Sequence, residues 1–421
     1  MAKAKAMVVP LVTMFLVMLL LVASCAPAAK TTAPGATEKT VKVGLSLGLT
    51  GPLASATVVV SYGVLNYLKY VNEELGGIQY KEPGGEAATV KMELLWEDAQ
   101  YNAAKQVSIY KRHKAAGVKM MYMVAGSMPE VTLELLTADH MPVVYNLVSA
   151  RGPFLKRPQY AIAEEGSYTG MTVSGIRWIK QNWKESRPPK IVQFTVDTPA
   201  GRAEYPGTVP QYAAEAGVEW LGFEWIPITA TDTSIELGRA KANGADWILI
   251  NHVASVTTVI TKDAVRLGLR DKFNYFVVLA YAFDETLLKF GAELFEGFYG
   301  HMTSALPTED VPGVALAKRI AQKYGYGDVT TLYLKGQTVG VAMAAGLKAA
   351  LEKVGYAKLT TDDINNALHS FVKLDTGGLC PPITVDPNYP LLNPYMRIGK
   401  VEGGKFKAIG DWFELPRVEL K

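Results

Sequence analysis

The chain has 421 residues, of which 49% are hydrophobic and 20% are charged, with 43 basic and 40 acidic side chains. Without Lys3 and Lys5 of the leader the balance is 41 to 40, and no basic patch with interleaved aromatic residues stands out, which argues against nucleic-acid binding. The length exceeds that of one average hydrophobic core and therefore predicts two domains.

The first forty residues predict a secretory leader and a lipid-anchored tether. An apolar run at 7–23 is 17 residues long, shorter than the roughly 20 that span a bilayer. The end of this run and the two residues after it read LVASC (21–25), which resembles the lipobox of bacterial lipoproteins. In that family the cysteine is acylated and becomes the new N-terminus. We expect a signal peptide at 1–24, a lipid anchor on Cys25 and a flexible tether at 25–40. The alternative is an ordinary signal peptide with a chance cysteine.

Beyond the tether, apolar segments with strand character alternate with helical patterns in two successive arrays. The first array has predicted strands at 41–47, 90–96, 118–125 and 141–148, with helices at 55–75, 103–116 and 130–139 and a turn-rich hairpin at 76–92. The second has predicted strands at 190–196, 218–226, 245–251 and 273–280, with helices at 203–216, 233–242 and 256–267. Helices at 314–324, 334–354 and 361–371 precede a Gly/Pro-rich tail with short strands. This alternation predicts an α/β fold with two parallel sheets, each covered by helices on both faces.

No catalytic or cofactor motif emerges from the sequence. The histidines at 113, 140, 252, 301 and 369 lack metal-ligand spacing, and no nucleophile elbow, CxxC pair or P-loop is present. The glycines of GLSLGLTG at 44–51 follow a strand, but they are not spaced as GxGxxG. We therefore expect a protein that is not an enzyme and holds no cofactor or metal. An α/β enzyme with a nucleotide-type cofactor is the alternative.

Small polar residues follow the predicted strands and favour an anion site. Ser127 follows the third strand and Ser149 follows the fourth. In open α/β sheets, ligands bind beyond the carboxyl ends of the strands, where the amides of helix N-termini point. The two hydroxyls together suit a carboxylate, although each serine alone is more often a helix N-cap.

The order of these segments resembles that of type I solute-binding proteins, in particular those similar to the leucine/isoleucine/valine-binding protein of ABC importers. The resemblance runs from VKVGLSLGLTGPLAS through VAGSMPEVTLELLTADHMPVVYNLVSA to DWILINHVASVTTVITKDAVRLGL and covers nearly all of 41–421. It implies two doubly wound lobes joined by three hinge strands, with a ligand held in the cleft. The first lobe would comprise 41–165 plus 302–378, and the second 167–300 plus 379–421.

The resemblance also implies positions for the ligand site. The carboxylate-binding serine falls on Ser127 or its neighbour Gly126, a second hydroxyl falls on Ser149 with backbone contacts near Leu147, and an inter-lobe position falls near Tyr168.

Two positions depart from the family pattern. The tyrosine of the second lobe falls on Ala200, and the acid that holds a ligand ammonium falls near Ala280. Other groups at strand ends of the second lobe are candidates to meet the ligand instead: Tyr281, Asn251 and His252. Plain packing is an equally good interpretation of Tyr281 and His252. Glu164 and Glu165, near the first hinge, are a less favoured substitute for the missing acid.

Together these features predict a lipid-anchored receptor that works as a monomer on the outer side of the cytoplasmic membrane. Its partners would be a small carboxylate-bearing solute and the permease and ATPase subunits of an ABC importer, without nucleic acid. An amino acid, an aromatic acid and an amide all remain open as ligands. A ligand-sensing domain for a signalling partner is a further alternative.

Overall fold

The apolar runs form two β-sheets in the structure, a computed structural model that describes residues 39–124, 129–145 and 159–418. In chain order the strands are β1 Thr40–Leu47, β2 Ile78–Lys81, β3 Ala87–Asp98, β4 Met120–Met123, β5 Val143–Tyr145, β6 Ala161–Ala163, β7 Lys190–Val196, β8 Glu219–Ile226, β9 Trp247–Asn251, β10 Asn274–Val277, β11 Tyr299–Met302, β12 Tyr395–Glu402 and β13 Lys405–Glu414. The α-helices are α1 Ala54–Glu73, α2 Ala103–Ala115, α3 Pro129–Asp139, α4 Tyr168–Asn182, α5 Pro199–Glu215, α6 Ser234–Ala242, α7 Ala254–Arg266, α8 Glu285–Leu288, α9 Pro312–Lys323, α10 Thr331–Val354 and α11 Thr361–Leu368.

Each sheet is the centre of one lobe. The first lobe has the strand order β2-β3-β1-β4-β5-β6 and carries α1 to α3 and α9 to α11, and the second has the order β13-β12-β11-β10-β9-β7-β8 and carries α4 to α8. The predicted fold class of two doubly wound lobes is confirmed. The sheets are not wholly parallel, however, because β2 pairs antiparallel with β3, and β12 and β13 pair antiparallel at the edge of the second sheet.

The central strands are apolar on both faces because both faces of each sheet are covered. In β4, Met120 and Tyr122 pack into one core, while Met121 and Met123 pack into another. Side chains alternate between the two faces of a strand, so a continuous apolar run fits a sheet with helices on both sides. This packing explains why the sequence reads as unbroken hydrophobic runs at these strands.

Three segments cross between the lobes and are hydrogen-bonded to one another. The first follows β6, the second follows β11, and the third precedes β12. The amide of Asn393 in the third donates to the carbonyl of Glu164 in the first at 2.7 Å, and its side-chain amide donates to the carbonyl of Thr303 in the second at 2.7 Å. The crossing segments therefore form a joined hinge. The lobe boundaries predicted from the sequence stay a prediction.

Several boundaries differ from the sequence prediction. Helix α10 begins at Thr331 rather than at 334, because the Thr330 hydroxyl accepts a hydrogen bond from the amide of Tyr333 and caps the helix. The strand predicted at 273–280 ends at Val277, and residues 280–282 form a short 3₁₀ helix instead. The tail predicted as short strands is a hairpin of β12 and β13, with 8 and 10 residues.

Candidate functional site

A buried polar cluster lies where the first crossing segment meets both lobes. Three parts of the chain build it: the first crossing segment, the first lobe and the second lobe. The residues are Glu164 and Glu165 after β6, Tyr122 in β4 and Lys335 in α10 of the first lobe, and Tyr168 in α4 and Tyr281 in the 3₁₀ helix after β10 of the second lobe. We call this set the hinge cluster. Because parallel strands end at the same edge of a sheet, the residues that follow β6 and β10 are brought to the cleft side of their lobes.

An ion pair forms the centre of the hinge cluster. Lys335 Nζ lies 2.5 Å from Glu165 Oε2, and the two side chains are 1% and 0% exposed. The same ammonium lies 3.6 Å from the ring centroid of Tyr281, a cation–π contact that reaches across from the first lobe to the second. A buried charge is costly unless it is paired, so Lys335 and Glu165 each require the other.

Glu164 is the second carboxyl of the cluster and has no lysine of its own. Burial raises its pKa well above the usual value, and the neighbouring Glu165 raises it further, while Lys335 and a hydrogen bond from the Tyr281 hydroxyl oppose the shift. Burial outweighs the opposing effects, which favours the neutral form of Glu164. With Glu165 balanced by Lys335, the cluster is then electrically neutral.

Several buried polar atoms of the cluster have no aligned hydrogen-bond partner among the described residues. They are Tyr122 Oη, Glu164 Oε2, both carboxylate oxygens of Glu165 and Lys335 Nζ. The contact between Glu165 and Lys335 is an ion pair rather than an aligned hydrogen bond. Buried polar groups in folded proteins are nearly always satisfied by protein, water or ligand. The cluster therefore has hydrogen-bonding capacity for a ligand or water beyond the contacts that the described residues make with one another.

The two candidates at the end of β9 lie in the second lobe and are both fully buried. The side-chain amide of Asn251 donates to Thr195 Oγ1 at 3.4 Å. The ring of His252 is held on both nitrogens, since Nε2 donates to the carbonyl of Ile226 at 3.1 Å and Nδ1 accepts from the amide of Val253 at 2.9 Å. Burial lowers the pKa of His252 to about 4, so the ring is neutral at physiological pH. Both ring nitrogens are engaged by backbone, which favours the interpretation of His252 as a satisfied buried histidine.

The positions that depart from the family pattern lie in short helical segments or at a helix start. Ala280 is buried in the 3₁₀ helix after β10, next to Tyr281, and Ala200 lies in the first turn of α5. Tyr168 is buried at the start of α4 and lies close enough to Tyr281 to contribute to the raised pKa of that phenol. The structure thus brings Tyr168 and Tyr281 together.

Four predicted ligand contacts and the predicted lipid anchor lie outside the described residues: Gly126, Ser127, Leu147, Ser149 and Cys25. They stay predictions.

Sequence reasoning missed Lys335. The available signal was a single lysine inside TLYLKGQTVGVAMAAGL, a stretch of helix with no other charged residue. Such a lysine either reaches the surface or is paired inside the protein. The sequence offered no way to identify the partner, because Glu165 lies on a different element far along the chain.

Two further features, a metal-ligand group and a membrane-spanning helix, are absent from the described part of the chain. Within 39–124, 129–145 and 159–418, no three His, Cys, Asp or Glu side chains are grouped as metal ligands would be. In the same ranges, no helix combines the length and apolar character required to cross a bilayer.

Comparison with known proteins identifies the architecture. The sequence profile of the family described as periplasmic binding protein matches residues 40–405. No curated protein sequence shows significant similarity to the chain.

Several solved structures share the fold at low sequence identity. A branched-chain amino acid ABC transporter protein from Thermus thermophilus with bound valine is 21% identical over 90% of this chain and 97% of its own, with a TM-score of 0.78. A fatty acid ABC transporter substrate-binding protein from Thermomonospora curvata is 21% identical over 90% and 94%, with a TM-score of 0.73. A solute-binding protein from Rhodopseudomonas palustris in complex with 3,4-dihydroxybenzoic acid is 18% identical over 91% and 99%, with a TM-score of 0.71.

Proposed function

The chain belongs to the periplasmic binding protein family, and from that premise we propose that it is the extracytoplasmic receptor of an ABC importer. It captures a small carboxylate-bearing solute in the cleft, closes its two lobes around the solute and delivers it to the permease and ATPase subunits. The family consists of binding proteins, in agreement with the expectation that the chain is not an enzyme.

The hinge cluster is the observation that carries this proposal. Its polar groups come from both lobes and from the first crossing segment, and the contact of Tyr281 with Lys335 joins the two lobes directly. A ligand that contacts both lobes at once shifts the population toward the closed form. The buried oxygens of Tyr122 and Glu164 that lack described partners are suited to the polar end of such a ligand.

The chemistry of the cluster supports a ligand without an α-ammonium group. Ala280 stands at the position where the family keeps an acid, and Tyr281 beside it contacts Lys335 and Glu164. Glu165 is already paired with Lys335, and burial favours neutral Glu164. A buried ammonium without a carboxylate partner is costly, so deaminated or aromatic acids fit better than an amino acid.

We predict that 4-methylpentanoate, which is leucine without its amino group, and benzoate-type acids bind at least as tightly as leucine. Isothermal titration calorimetry on ligand-stripped protein measures the three affinities. Replacing Ser127 or Ser149 by alanine should weaken binding of the acids roughly ten- to a hundredfold, because each hydroxyl would donate to a charged carboxylate.

The matched variant Glu164→Gln keeps the size and neutrality of the protonated acid and should retain affinity for 4-methylpentanoate. Tight leucine binding that is lost in Glu164→Gln would show that Glu164 acts as a carboxylate on an ammonium. Leucine binding that is unchanged by both serine substitutions would contradict the assigned carboxylate site.

We also propose that Cys25 is acylated and tethers the receptor to the membrane as a monomer. The LVASC sequence after the short apolar run supports this proposal, as does the tether rich in alanine, threonine and proline that follows it. Replacing Cys25 by alanine should abolish incorporation of radiolabelled fatty acid and leave the leader uncleaved. Ser24→Ala, which keeps a small residue before the cysteine and leaves the thiol in place, serves as the control. Full labelling of Cys25→Ala would contradict the lipid anchor.

A further inference from the structure

A second contact between the lobes lies outside the hinge cluster, at the N-terminus of α10. Glu285 begins α8 of the second lobe, and its carboxylate accepts a 2.7 Å hydrogen bond from the amide of Thr331 in the first lobe. The Thr331 hydroxyl donates to the same carboxylate at about 3 Å. The second lobe thus supplies the acceptor for one of the four amides that the first turn of α10 leaves without intrahelical partners.

Asp284, the neighbour of Glu285, is completely buried in the same contact. Its Oδ1 accepts from the amide of Thr286 at 3.0 Å and caps α8, while its Oδ2 has no aligned hydrogen-bond partner among the described residues. The hydroxyl of Thr330, the N-cap of α10, lies beside this carboxyl. Two acidic side chains of one lobe are therefore directed at the positive end of a 24-residue helix of the other.

We propose that Asp284 and Glu285 form a closure contact with the N-terminus of α10, which sets the balance between open and closed lobes from outside the ligand site. This inference rests on the proposed lobe closure but on none of the residues assigned to the ligand. If the lobes separate, Thr331 exchanges the carboxylate for water and Asp284 becomes solvated. Glu285 acts as a positioning residue because it stabilises the closed arrangement by accepting from Thr331, and Asp284 favours that arrangement only in its protonated form.

The contact also makes closure dependent on pH. Burial raises the pKa of Asp284 to about 7, with a further contribution from Glu285, and burial raises the pKa of Glu285 as well. The other charged or titratable groups that face the pair are Lys289, which acts on Glu285, and Tyr326, which packs beside Asp284.

The sign of the dependence follows from the raised pKa. In open protein the two carboxyls are solvated and titrate near their ordinary values, so closure takes up protons. Closure is therefore favoured at acidic pH, and this advantage is lost as the pH rises through the interval up to about 7. The closed-to-open ratio can change by up to roughly tenfold per pH unit for each such group.

Small-angle X-ray scattering of the full chain without added ligand tests the proposal. At pH 8, where ionised Asp284 opposes closure, Glu285→Ala should lower the closed-to-open ratio roughly ten- to a hundredfold and increase the radius of gyration. Glu285→Gln retains an acceptor for Thr331 and should stay closer to the wild type. Asp284→Asn should remove the largest part of the difference between pH 5 and pH 8, and any remainder reports on Glu285 and on Glu164 of the hinge cluster.

A matched control separates closure from stability. Asp363 caps α11 within the first lobe by accepting from the amide of Thr360 at 3.0 Å. Asp363→Ala should lower the melting temperature and leave the scattering unchanged. The proposal is overturned if the wild type is fully open at pH 5, or if Glu285→Ala scatters as the wild type does. Because no solute is added, these outcomes are independent of the calorimetry that tests the proposed function.

Discussion

Replacing Lys335 by methionine should lower the free energy of unfolding by about 3–5 kcal/mol. Methionine fills a similar volume, so the loss comes from charge rather than from a cavity. The change leaves Glu165 fully buried beside Glu164 with no cation, and the contact of the ammonium with the Tyr281 ring is lost as well. A carboxylate left unpaired in the interior either remains charged at high cost or takes up a proton. Urea unfolding followed by circular dichroism measures the change.

Two companion variants make this prediction specific. Lys348 lies in the same helix, and its Nζ lies 3.9 Å from Glu352 Oε1 in an ion pair that is exposed to solvent. Lys348→Met should therefore lower the free energy of unfolding by less than about 1 kcal/mol. Adding Glu165→Gln to Lys335→Met should recover part of the lost stability, because the orphaned charge is removed. Equal stability of Lys335→Met and Lys348→Met would mean that Lys335 and Glu165 are not ionised in the folded protein.

Replacing Gly336 by alanine should destabilise the protein by about 3 kcal/mol, at the upper end of typical overpacking costs. Helices α1 and α10 are in close contact here: a Cβ on Gly336 would lie 2.2 Å from the carbonyl oxygen of Val60, and one on Gly63 would lie 2.3 Å from that of Tyr333. Backbone atoms cannot rotate out of the way, so the helices must separate. Separation would also displace Lys335, the preceding residue, from Glu165. We therefore expect Gly336→Ala to weaken solute binding as well as stability.

The control for this prediction is another glycine within a helix. Gly238 lies in α6, and among the described residues no atom beyond its chain neighbours and the backbone of its own helix lies within 4 Å of the position that an added methyl group would occupy. Gly238→Ala should therefore stabilise the protein by about 0.5–1 kcal/mol through helix propensity. Opposite signs for the two glycines, measured by the same urea titration, would support close helix packing as the cause. A stabilising effect of Gly336→Ala would show that α1 and α10 are further apart than these distances imply.

Much of the fold is predictable from local pattern. The strand predicted at 190–196 coincides with β7, and that at 218–226 differs from β8 by one residue. Apolar β-rich runs bounded by turn residues favour buried strands, and the alternation with amphipathic helices leaves few arrangements other than doubly wound sheets. The antiparallel pairing at the sheet edges could not be predicted in this way, because the pairing of an edge strand depends on where the chain returns to the sheet.

The candidate site was predictable only in part. The sequence directed attention to strand ends and to Glu164, Glu165 and Tyr281, since ligands bind beyond the carboxyl ends of strands. It gave no means of joining these residues to Lys335, which is on a helix of the first lobe. The contact of Glu285 with Thr331 could not be predicted from the sequence for the same reason. Local propensity does not indicate which carboxylate approaches the end of a helix.

The sequence by itself determined the elements of this protein and their order, because hydrophobic periodicity and turn residues act over short stretches of chain. Only the tertiary structure decided which charges meet. Lys335 would favour the surface if it were unpaired, and Glu165 likewise, but the fold packs the first crossing segment beside α10, which places the two side chains 2.5 Å apart and removes both from water. Pairing of that kind depends on the packing of whole lobes, since the energy of a buried charge is set by everything around it rather than by its neighbours in the chain.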